Sequence, residues 1–302
     1  MLIERAEDQL QLSRGYLLGL VARASHCYRQ IEVPKARGGL RVIHHPAPEL
    51  KGLQRWLNRS VLSNLHVHAA AHAYRPGVGL AMHARKHQNG AYLLRLDLAR
   101  FFPSIDRSDL ERYIADNAHS FAGWSDQDRE FFMRAVLRFG RLTIGAPTSP
   151  ALSNAICAEL DVRLTAYCSP LAISYTRYAD DLYFSCALAG ALRSVEAAVL
   201  RLLRDLPYPR NLRINHNKTR HSSRANRRVV TGVLLTPEGE LSVGRAKKRS
   251  LRTLIFLAKE LPEKERLAAA GLLGSVQAIE PSFVQRLRAK YSDKVDQFLR
   301  SK

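Results

Sequence analysis

A pair of adjacent carboxylates between two alternating apolar segments constrains the fold of this chain more than any other feature. Asp180 and Asp181 lie between residues 171–175 and 182–184, where apolar side chains alternate. This pattern predicts a β-hairpin with both acids at its turn. With a third carboxylate from elsewhere, such a turn can hold a pair of Mg²⁺ ions about 3.5–4 Å apart for phosphoryl transfer. The alternative is a solvated acidic turn, because a Tyr-x-Asp-Asp string also arises by chance.

The charge of the chain points to a polyanionic partner. The formal net charge is +20, from 47 Lys and Arg against 27 Asp and Glu. A positive field of this size favours nucleic acid, and the excess of arginine over lysine suits bidentate phosphate contacts and stacking on bases. Charge alone leaves DNA, RNA, an anionic membrane or a generally basic protein open. No long basic amphipathic helix with an aromatic face favours the membrane.

Composition predicts a folded protein of one body with two or three subdomains. The 302 residues are 46% hydrophobic, with no repeat and no low-complexity linker. No apolar run approaches the roughly 20 residues that span a bilayer, and the N-terminus is not a signal peptide, so we expect a cytoplasmic protein. The cysteines lack both zinc-ligand and disulfide-framework spacing, which predicts reduced, mostly buried thiols. They are Cys27, Cys157, Cys168 and Cys186.

The order of predicted elements favours an α+β fold. Periodicity predicts strands at 28–35, 40–43, 92–96, 212–215, 229–235 and 241–243, the first two joined by a turn at Gly38-Gly39. Helices are predicted over 8–24, 50–62, 126–139, 151–164 and 192–206, with a start near 108 and helical, basic residues from 244 onward.

Asp97 is the candidate third carboxylate. It ends the predicted strand 92–96, which we expect beside the Asp180-Asp181 hairpin in one sheet. An isolated aspartate at a strand end is more often a helix cap or a turn residue. Convergence with an acidic hairpin favours a site instead.

Three strings in this order resemble successive motifs of reverse transcriptases, and more narrowly those of bacterial retrons. They occupy residues 95–102, 145–154 and 178–181. The resemblance covers most of the chain, from about Tyr28 to the C-terminal helices, and implies a right-hand polymerase. Its implied divisions are fingers with N-terminal helices at 1–94, a palm with interspersed fingers elements at 95–243, and a helical basic thumb at 244–302.

The resemblance also implies the reacting centre. Asp97, Asp180 and Asp181 would hold two Mg²⁺ ions that activate the primer hydroxyl and neutralise the leaving pyrophosphate. Lys218 matches a lysine that protonates the pyrophosphate. Phe102 matches the aromatic ring that crowds the sugar 2′ carbon and favours dNTPs. Without the resemblance, Phe102 could be a core residue, and Lys218 a common strand-end lysine.

The same resemblance implies nucleotide contacts in two places, the hairpin of strands 28–35 and 40–43, here called the basic hairpin for its Lys35, Arg37 and Arg41, and the loop at 145–154. Lys35 and Arg41 match residues that grip the incoming triphosphate, with a solvated basic turn as the alternative. Ser149 and Asn154 match the nucleotide- and template-facing loop and helix start, where Gly145 permits close backbone approach. Ile144 departs from the glutamine that many relatives carry, which can alter fidelity or affinity.

Two further strings resemble features particular to retrons. Val230-Thr231-Gly232 resembles a Val-Thr-Gly motif near the primer grip, so Thr231 and Gly232 are expected to contact nucleic acid. Residues 83–87 resemble an Asn-Ala-x-x-His motif, with His83 in place of the asparagine and His87 retained as a nucleic-acid contact. The two histidines could alternatively bind zinc if a further ligand joined them.

The C-terminal region begins with a cationic helix whose other face is apolar. In the family this thumb recognises structured RNA, so we expect phosphate contacts and salt-sensitive binding; a solvated basic helix is the alternative. The expected contacts are Arg245, Lys247, Lys248, Arg249 and Arg252.

The resemblance implies an RNA-directed DNA polymerase that copies a dedicated structured noncoding RNA into single-stranded DNA from dNTPs. For retrons it further implies priming from an RNA 2′-hydroxyl, a branched RNA–DNA product, and anti-phage defence beside a separately encoded effector protein. Group II intron-like and diversity-generating reverse transcriptases are the enzymatic alternatives. An RNA-binding scaffold that sequesters an effector without polymerising is the other alternative, and the intact Asp97, Asp180 and Asp181 argue against it.

Overall fold

The computed structural model describes residues 1–34, 38–258 and 260–300. The chain begins with two helices, α1 (Leu2–Leu10) and α2 (Arg14–Ala22). Gln11 adopts a left-handed conformation with φ 54°, and the Ser13 side chain accepts a hydrogen bond from the Tyr16 amide. The single helix predicted over 8–24 is therefore wrong, because the backbone turns between α1 and α2 and Ser13 starts a new helix.

A two-stranded hairpin follows, as the sequence predicts. Strands β1 (Tyr28–Pro34) and β2 (Leu40–Pro46) pair antiparallel, with Pro34 opposite Leu40. Gly38 and Gly39 both have φ above +75°, which glycine adopts without steric cost. Lys35 and Arg37 lie outside the described residues. Helix α3 (Pro48–Ser60) then packs on the N-terminal helices and is followed by the short α4 (Leu80–Arg85).

A four-stranded antiparallel sheet forms the centre of the protein. Its strands are β3 (Tyr92–Asp97), β4 (Ser174–Tyr178), β5 (Asp181–Cys186) and β6 (Arg220–Ser223), in the order β4-β5-β3-β6. The strand predicted at 212–215 is wrong. That segment runs past the end of β3, where it makes one bridge between Ile214 and Leu98, and the chain reaches the sheet edge only at β6.

Five helices share the main apolar core with one face of this sheet, where Leu94 and Leu96 of β3 and Phe184 of β5 are buried. The continuous helix predicted over 151–164 is divided at Cys157, which leaves the helical conformation at ψ 5°. The five helices are α5 (Arg107–Asp116), α6 (Asp126–Val136), α7 (Ser149–Ile156), α8 (Ala158–Cys168) and α9 (Val195–Asp205).

The C-terminal part combines three short strands with three helices. Strands β7 (Arg228–Val230), β8 (Val233–Leu235) and β9 (Leu241–Ser242) form a separate sheet. The predicted strand 229–235 is interrupted because Thr231 and Gly232 take positive φ and reverse the chain. Helices α10 (Arg245–Phe256), α11 (Glu263–Ile279) and α12 (Pro281–Arg300, with non-helical backbone at Tyr291) confirm the predicted helical end.

A second apolar core joins this C-terminal part to the central sheet. It includes Leu93 of β3 and Tyr183 of β5 beside Leu251, Ile255 and Phe283. The alternation along β3 explains the division, because Leu94 and Leu96 point to the opposite face from Leu93. The architecture confirms the α+β prediction.

The four cysteines are free thiols, three of them buried and Cys27 partly exposed, as predicted. Among the described residues, no helix has the length and apolar character needed to cross a membrane.

Candidate active site

Three carboxylates lie at one end of the central sheet. The pairing of β3 with β5 sets Asp97 directly opposite Asp181, which confirms that these strands are neighbours. Asp180 occupies the turn between β4 and β5, and its carbonyl oxygen accepts a hydrogen bond from the Leu98 amide at 2.8 Å. Residues opposite each other in an antiparallel pair share a face, so strand register brings the three acids together.

Two cations neutralise this acidic end. The Lys218 ammonium donates hydrogen bonds to both oxygens of Asp97, at 3.0 and 2.9 Å. The Arg95 guanidinium holds Asp181 through three hydrogen bonds of 2.8 to 3.0 Å. Arg95 is a site residue that the sequence analysis missed. Its signal is its position two residues before Asp97, which places both side chains on the same face of β3.

Burial and like charge raise the affinity of the acidic pair for positive charge. Burial raises the pKa of Asp181 to about 6; Arg95 opposes the rise, whereas Asp180 and Asp97 add to it. Burial is also the main cause of the raised pKa of Asp180, with a further contribution from Asp97. Crowded carboxylates of this kind are stabilised in their charged form by a bound cation.

The donor set fits a hard divalent cation in its chemistry, since Mg²⁺ prefers carboxylate oxygens. In this arrangement Asp97 and Asp181 are each turned to a side-chain cation. Within the part of the chain that the structure describes, no three His, Cys, Asp or Glu side chains are gathered closely enough to hold a metal ion. Lys218 pairs with Asp97 and Arg95 pairs with Asp181 in this structure.

Phe102 has an aromatic neighbour that the sequence analysis missed, and that neighbour is close enough to Asp180 to be affected by its charge. The partly buried Phe102 ring is 6.4 Å from the ring of Tyr74, centroid to centroid. Tyr74 is 52% exposed and has φ 60°. Burial raises its pKa, and the charge of Asp180 raises it further. Left-handed non-glycine residues cost about 1–3 kcal/mol and cluster at functional sites; Tyr74 is therefore a candidate contact for a nucleotide.

Two side chains of α7, the helix that follows the Gly145 loop, are buried and bond to the protein. The Ser149 hydroxyl accepts a hydrogen bond from the Thr143 amide, and the Asn154 amide donates to the Ala73 carbonyl at 2.8 Å. Both side chains are buried. Their contacts with nucleotide and nucleic acid stay predictions, and in this structure both side chains bond to the protein itself. Ser149 and Asn154 thereby stabilise the loop and the start of the helix.

The structure shows why a glycine is needed at position 145: the backbone of β2 packs directly against it. Its φ is +107°, and a Cβ built on it would lie 2.4 Å from the His44 carbonyl oxygen of β2. The neighbouring Ile144 carbonyl accepts a hydrogen bond from the His44 amide at 2.8 Å. The absent side chain therefore lets the loop pack directly on the basic hairpin.

Gly145→Ala is expected to destabilise this packing and to raise the KM for dNTP at least severalfold, because the backbone of β2 must move. The matched control is Gly140→Ala, where φ is also positive but no atom lies within 4 Å of the built Cβ. Thermal unfolding and steady-state primer extension of both variants measure the effect. Equal changes in the two variants would assign the whole effect to backbone strain and none to the contact.

His87 is buried and engaged on both ring nitrogens. Its Nε2 lies 2.7 Å from the Thr176 hydroxyl and its Nδ1 lies 2.8 Å from the Ser185 hydroxyl. Both hydrogen-bond partners of the His87 ring are internal, and its contact with nucleic acid stays a prediction. Burial lowers the pKa of His83 to about 2 and that of His87 to about 3, so both rings are neutral. Nothing among the described residues supplies the further ligand that the zinc alternative needs.

Thr231 and Gly232 remain at the surface. Together with Arg95, Asp181 and Tyr183 they line a cavity of about 570 Å³ beside the acidic turn. A strand of nucleic acid in this cavity would contact the Thr231-Gly232 turn next to the carboxylates.

The cations at the start of α10 divide into two groups. Arg245, Lys247, Arg249 and Arg252 are exposed. Lys248 is different, because its ammonium makes a salt bridge of 2.5 Å with Glu280 of the C-terminal core. Its charge is neutralised within the protein, which argues against the predicted phosphate contact. On the basic hairpin, Arg41 is exposed, whereas Lys35 lies outside the described residues.

The fold and the acidic end of the central sheet define a polymerase palm, and the family model for reverse transcriptase (RNA-dependent DNA polymerase) matches residues 33–256. The retron Ec83 reverse transcriptase of Escherichia coli is 35% identical, over 91% of this chain and 90% of the relative. The retron Ec73 reverse transcriptase of the same species is 27% identical, over 96% and 94%. The chain belongs to the reverse transcriptases of bacterial retrons and is an RNA-directed DNA polymerase.

A solved structure supports the fold alone. Apo telomerase from Candida tropicalis superimposes with a TM-score of 0.51 at 12% sequence identity. The match covers 88% of this chain and 58% of the telomerase chain. At this identity the likeness concerns the arrangement of the backbone.

Proposed function

We propose that this reverse transcriptase copies part of a dedicated structured noncoding RNA into single-stranded DNA and yields a branched RNA–DNA product. The observation that carries the proposal is the register of β3 with β5, which sets Asp97 opposite Asp181 with Asp180 on the adjoining turn. Priming from an RNA 2′-hydroxyl and a role in anti-phage defence beside a separately encoded effector protein follow from the retron family.

The acidic end of the central sheet is the proposed reacting centre. Asp97, Asp180 and Asp181 would hold two Mg²⁺ ions, which when bound supply the charge that activates the primer hydroxyl and neutralises the pyrophosphate. Lys218 can donate a proton to the leaving pyrophosphate, a role supported by its ammonium lying 3.0 Å or less from the Asp97 carboxylate. Phe102 would exclude the ribose 2′-hydroxyl, and Lys35 and Arg41 would bind the triphosphate of the dNTP.

The proposed divisions are fingers at 1–94, palm at 95–243 and thumb at 244–302. The exposed Arg245, Lys247, Arg249 and Arg252 support a thumb that binds the phosphates of the noncoding RNA. We place the protein in the cytoplasm, where a noncoding RNA and dNTPs are available.

Purification of the protein with its bound nucleic acid tests the proposal. Sequencing after separate RNase and DNase treatment is expected to show one discrete RNA and a DNA complementary to part of it. The Asp97→Asn variant serves as the matched control and is expected to retain the RNA and to lack the DNA. Random cellular RNA without a discrete complementary DNA would contradict the retron assignment.

A further inference from the structure

A buried chain of hydrogen bonds runs beneath the acidic turn and joins elements that are far apart in sequence. The His83 ring lies between Thr231, at 3.2 Å from its Nδ1, and Thr176, at 2.7 Å from its Nε2. His87 continues the chain from Thr176 to Ser185. The exposed fractions of the four inner residues, His83, Thr176, His87 and Ser185, are 0 to 2%. We call these five residues the histidine–threonine chain.

Thr176 is the centre of this chain because one hydroxyl serves two imidazoles. A hydroxyl has one proton to donate. The Thr176 hydroxyl therefore donates to one Nε2 and accepts from the protonated Nε2 of the other ring, so the two histidines carry opposite tautomers. Each ring then has one defined partner left, Thr231 for His83 and Ser185 for His87. Removing this hydroxyl would leave two buried ring nitrogens without a partner, which costs more than one lost hydrogen bond.

The histidine–threonine chain contacts both strands of the acidic hairpin. Thr176 is on β4 and Ser185 on β5. The His83 ring also stacks on Tyr178, which directly precedes the turn, with centroids 5.4 Å apart and planes at 23°. Both sides of the Asp180-Asp181 turn are therefore tied to the helix and turn that carry His83 and His87.

The histidine–threonine chain also reaches the Thr231-Gly232 turn, which lines the cavity beside the acids. The Thr231 hydroxyl is the hydrogen-bond partner of the His83 Nδ1, and the Thr231 amide donates to the Tyr183 hydroxyl at 3.1 Å. Tyr183 is two residues beyond Asp181 and shares its face of β5. The Thr231-Gly232 turn thus has two connections to the acidic hairpin, one through His83 and one through Tyr183.

We propose that His83, Thr176 and His87 are positioning residues that hold the Thr231-Gly232 turn at a fixed distance from Asp180 and Asp181. A primer strand on that turn would then present its terminal hydroxyl to the carboxylates. The inference rests on the proposed function of the acidic end of the central sheet and deepens it. The two strings that resemble retron features are in direct contact here, since His83 of one lies within hydrogen-bond distance of Thr231 of the other.

The test compares Thr176→Val, which keeps the shape of the side chain and loses the hydroxyl, with Thr176→Ser, which keeps the hydroxyl. Extension of a DNA primer on a simple RNA template is measured at steady state. Thr176→Val is expected to lower kcat about 10-fold or more, because small misplacement of a reacting group is costly, and to leave the KM for dNTP within about 2-fold. Thr176→Ser is expected to recover most of kcat.

A matched control separates positioning from loss of a buried hydroxyl. Ser242→Ala removes a buried hydroxyl that donates to Glu280 at 2.9 Å, outside the histidine–threonine chain. It is expected to lower the melting temperature and to leave kcat near the wild-type value. An unchanged kcat in folded Thr176→Val, or an equal loss in Thr176→Ser, would overturn the proposal.

A second pair of variants decides the question if Thr176→Val does not fold. His83→Asn keeps one donor and one acceptor, whereas His83→Leu keeps neither. Support requires a higher kcat in His83→Asn than in His83→Leu, and equal values would overturn the proposal. The Asp180→Asn variant is assayed in parallel. If it remains active, the acidic end of the central sheet is not the reacting centre and the proposed function fails; if it is inactive while the network variants match wild type, only the positioning role fails.

Discussion

Asp180→Asn is expected to abolish DNA synthesis while the protein continues to bind RNA. The substitution keeps the size of the side chain and removes one negative charge from the acidic turn. Loss of one stabilising group at a reacting centre costs about 10²–10³-fold in kcat, and loss of a metal ligand is expected to reach the upper end of that range. Primer extension and filter binding on the same preparation measure the two properties.

Asp181→Asn is expected to have the same effect, with one difference. The Arg95 guanidinium, now held by Asp181 through three hydrogen bonds, would lose a charged partner. The matched control is Asp126→Asn, since Asp126 is a fully exposed aspartate on α6. Robust synthesis by the Asp180 or Asp181 variant would contradict the assignment of two metal ions to this turn.

Asp161→Ala is expected to cause the largest loss of stability, on the order of 3–5 kcal/mol in the free energy of unfolding. Asp161 and Arg177 are both fully buried, and their closest atoms are 2.6 Å apart. The Asp161 carboxylate also accepts from the Tyr175 hydroxyl at 2.7 Å. Removing the carboxylate leaves the Arg177 charge buried without its counterion, which is the costly outcome for an ion pair in a protein interior.

The matched control for this variant lies on the same helix. Glu159 pairs with Arg163 at 2.7 Å on the surface of α8, where both side chains are more than a third exposed. Glu159→Ala is expected to change the stability by about 1 kcal/mol or less. Urea or thermal unfolding of the two variants provides the comparison. Similar losses in both would show that burial of the Asp161–Arg177 pair does not determine its contribution.

The buried pair also has a consequence for the acidic turn. The Arg177 amide donates to Ala70 and its carbonyl accepts from the His72 amide, so β4 is fixed to the loop after α3. Arg177 is three residues before Asp180. We therefore expect Asp161→Ala to reduce DNA synthesis even at temperatures where the variant is folded.

Local patterns predicted those parts of the fold in which neighbouring residues decide the structure. The acidic hairpin, the basic hairpin turned at Gly38-Gly39, and strand β3 ending at Asp97 all follow from alternation and turn residues. The strand expected at 212–215 failed for the opposite reason. Its residues alternate like those of a strand, but β6, which lies further along the chain, pairs with β3 in its place.

The candidate site divides in the same way. The identity of the three carboxylates could be read from the sequence, and so could the residues that resemble family motifs. Which polar side chains face a ligand could not. Ser149, Asn154 and His87 stand at positions that resemble contacts, but the structure buries them among backbone and hydroxyl partners.

The sequence by itself determined that two acids lie at a hairpin turn and that a third ends a strand, because the alternation and turn residues that specify such elements are local. Only the tertiary structure decided the partners of those acids. Arg95 meets Asp181 across 86 residues of sequence, and Lys218 meets Asp97 across 121. Such pairs depend on which strands become neighbours and which side chains lose water, and both depend on packing of the whole chain.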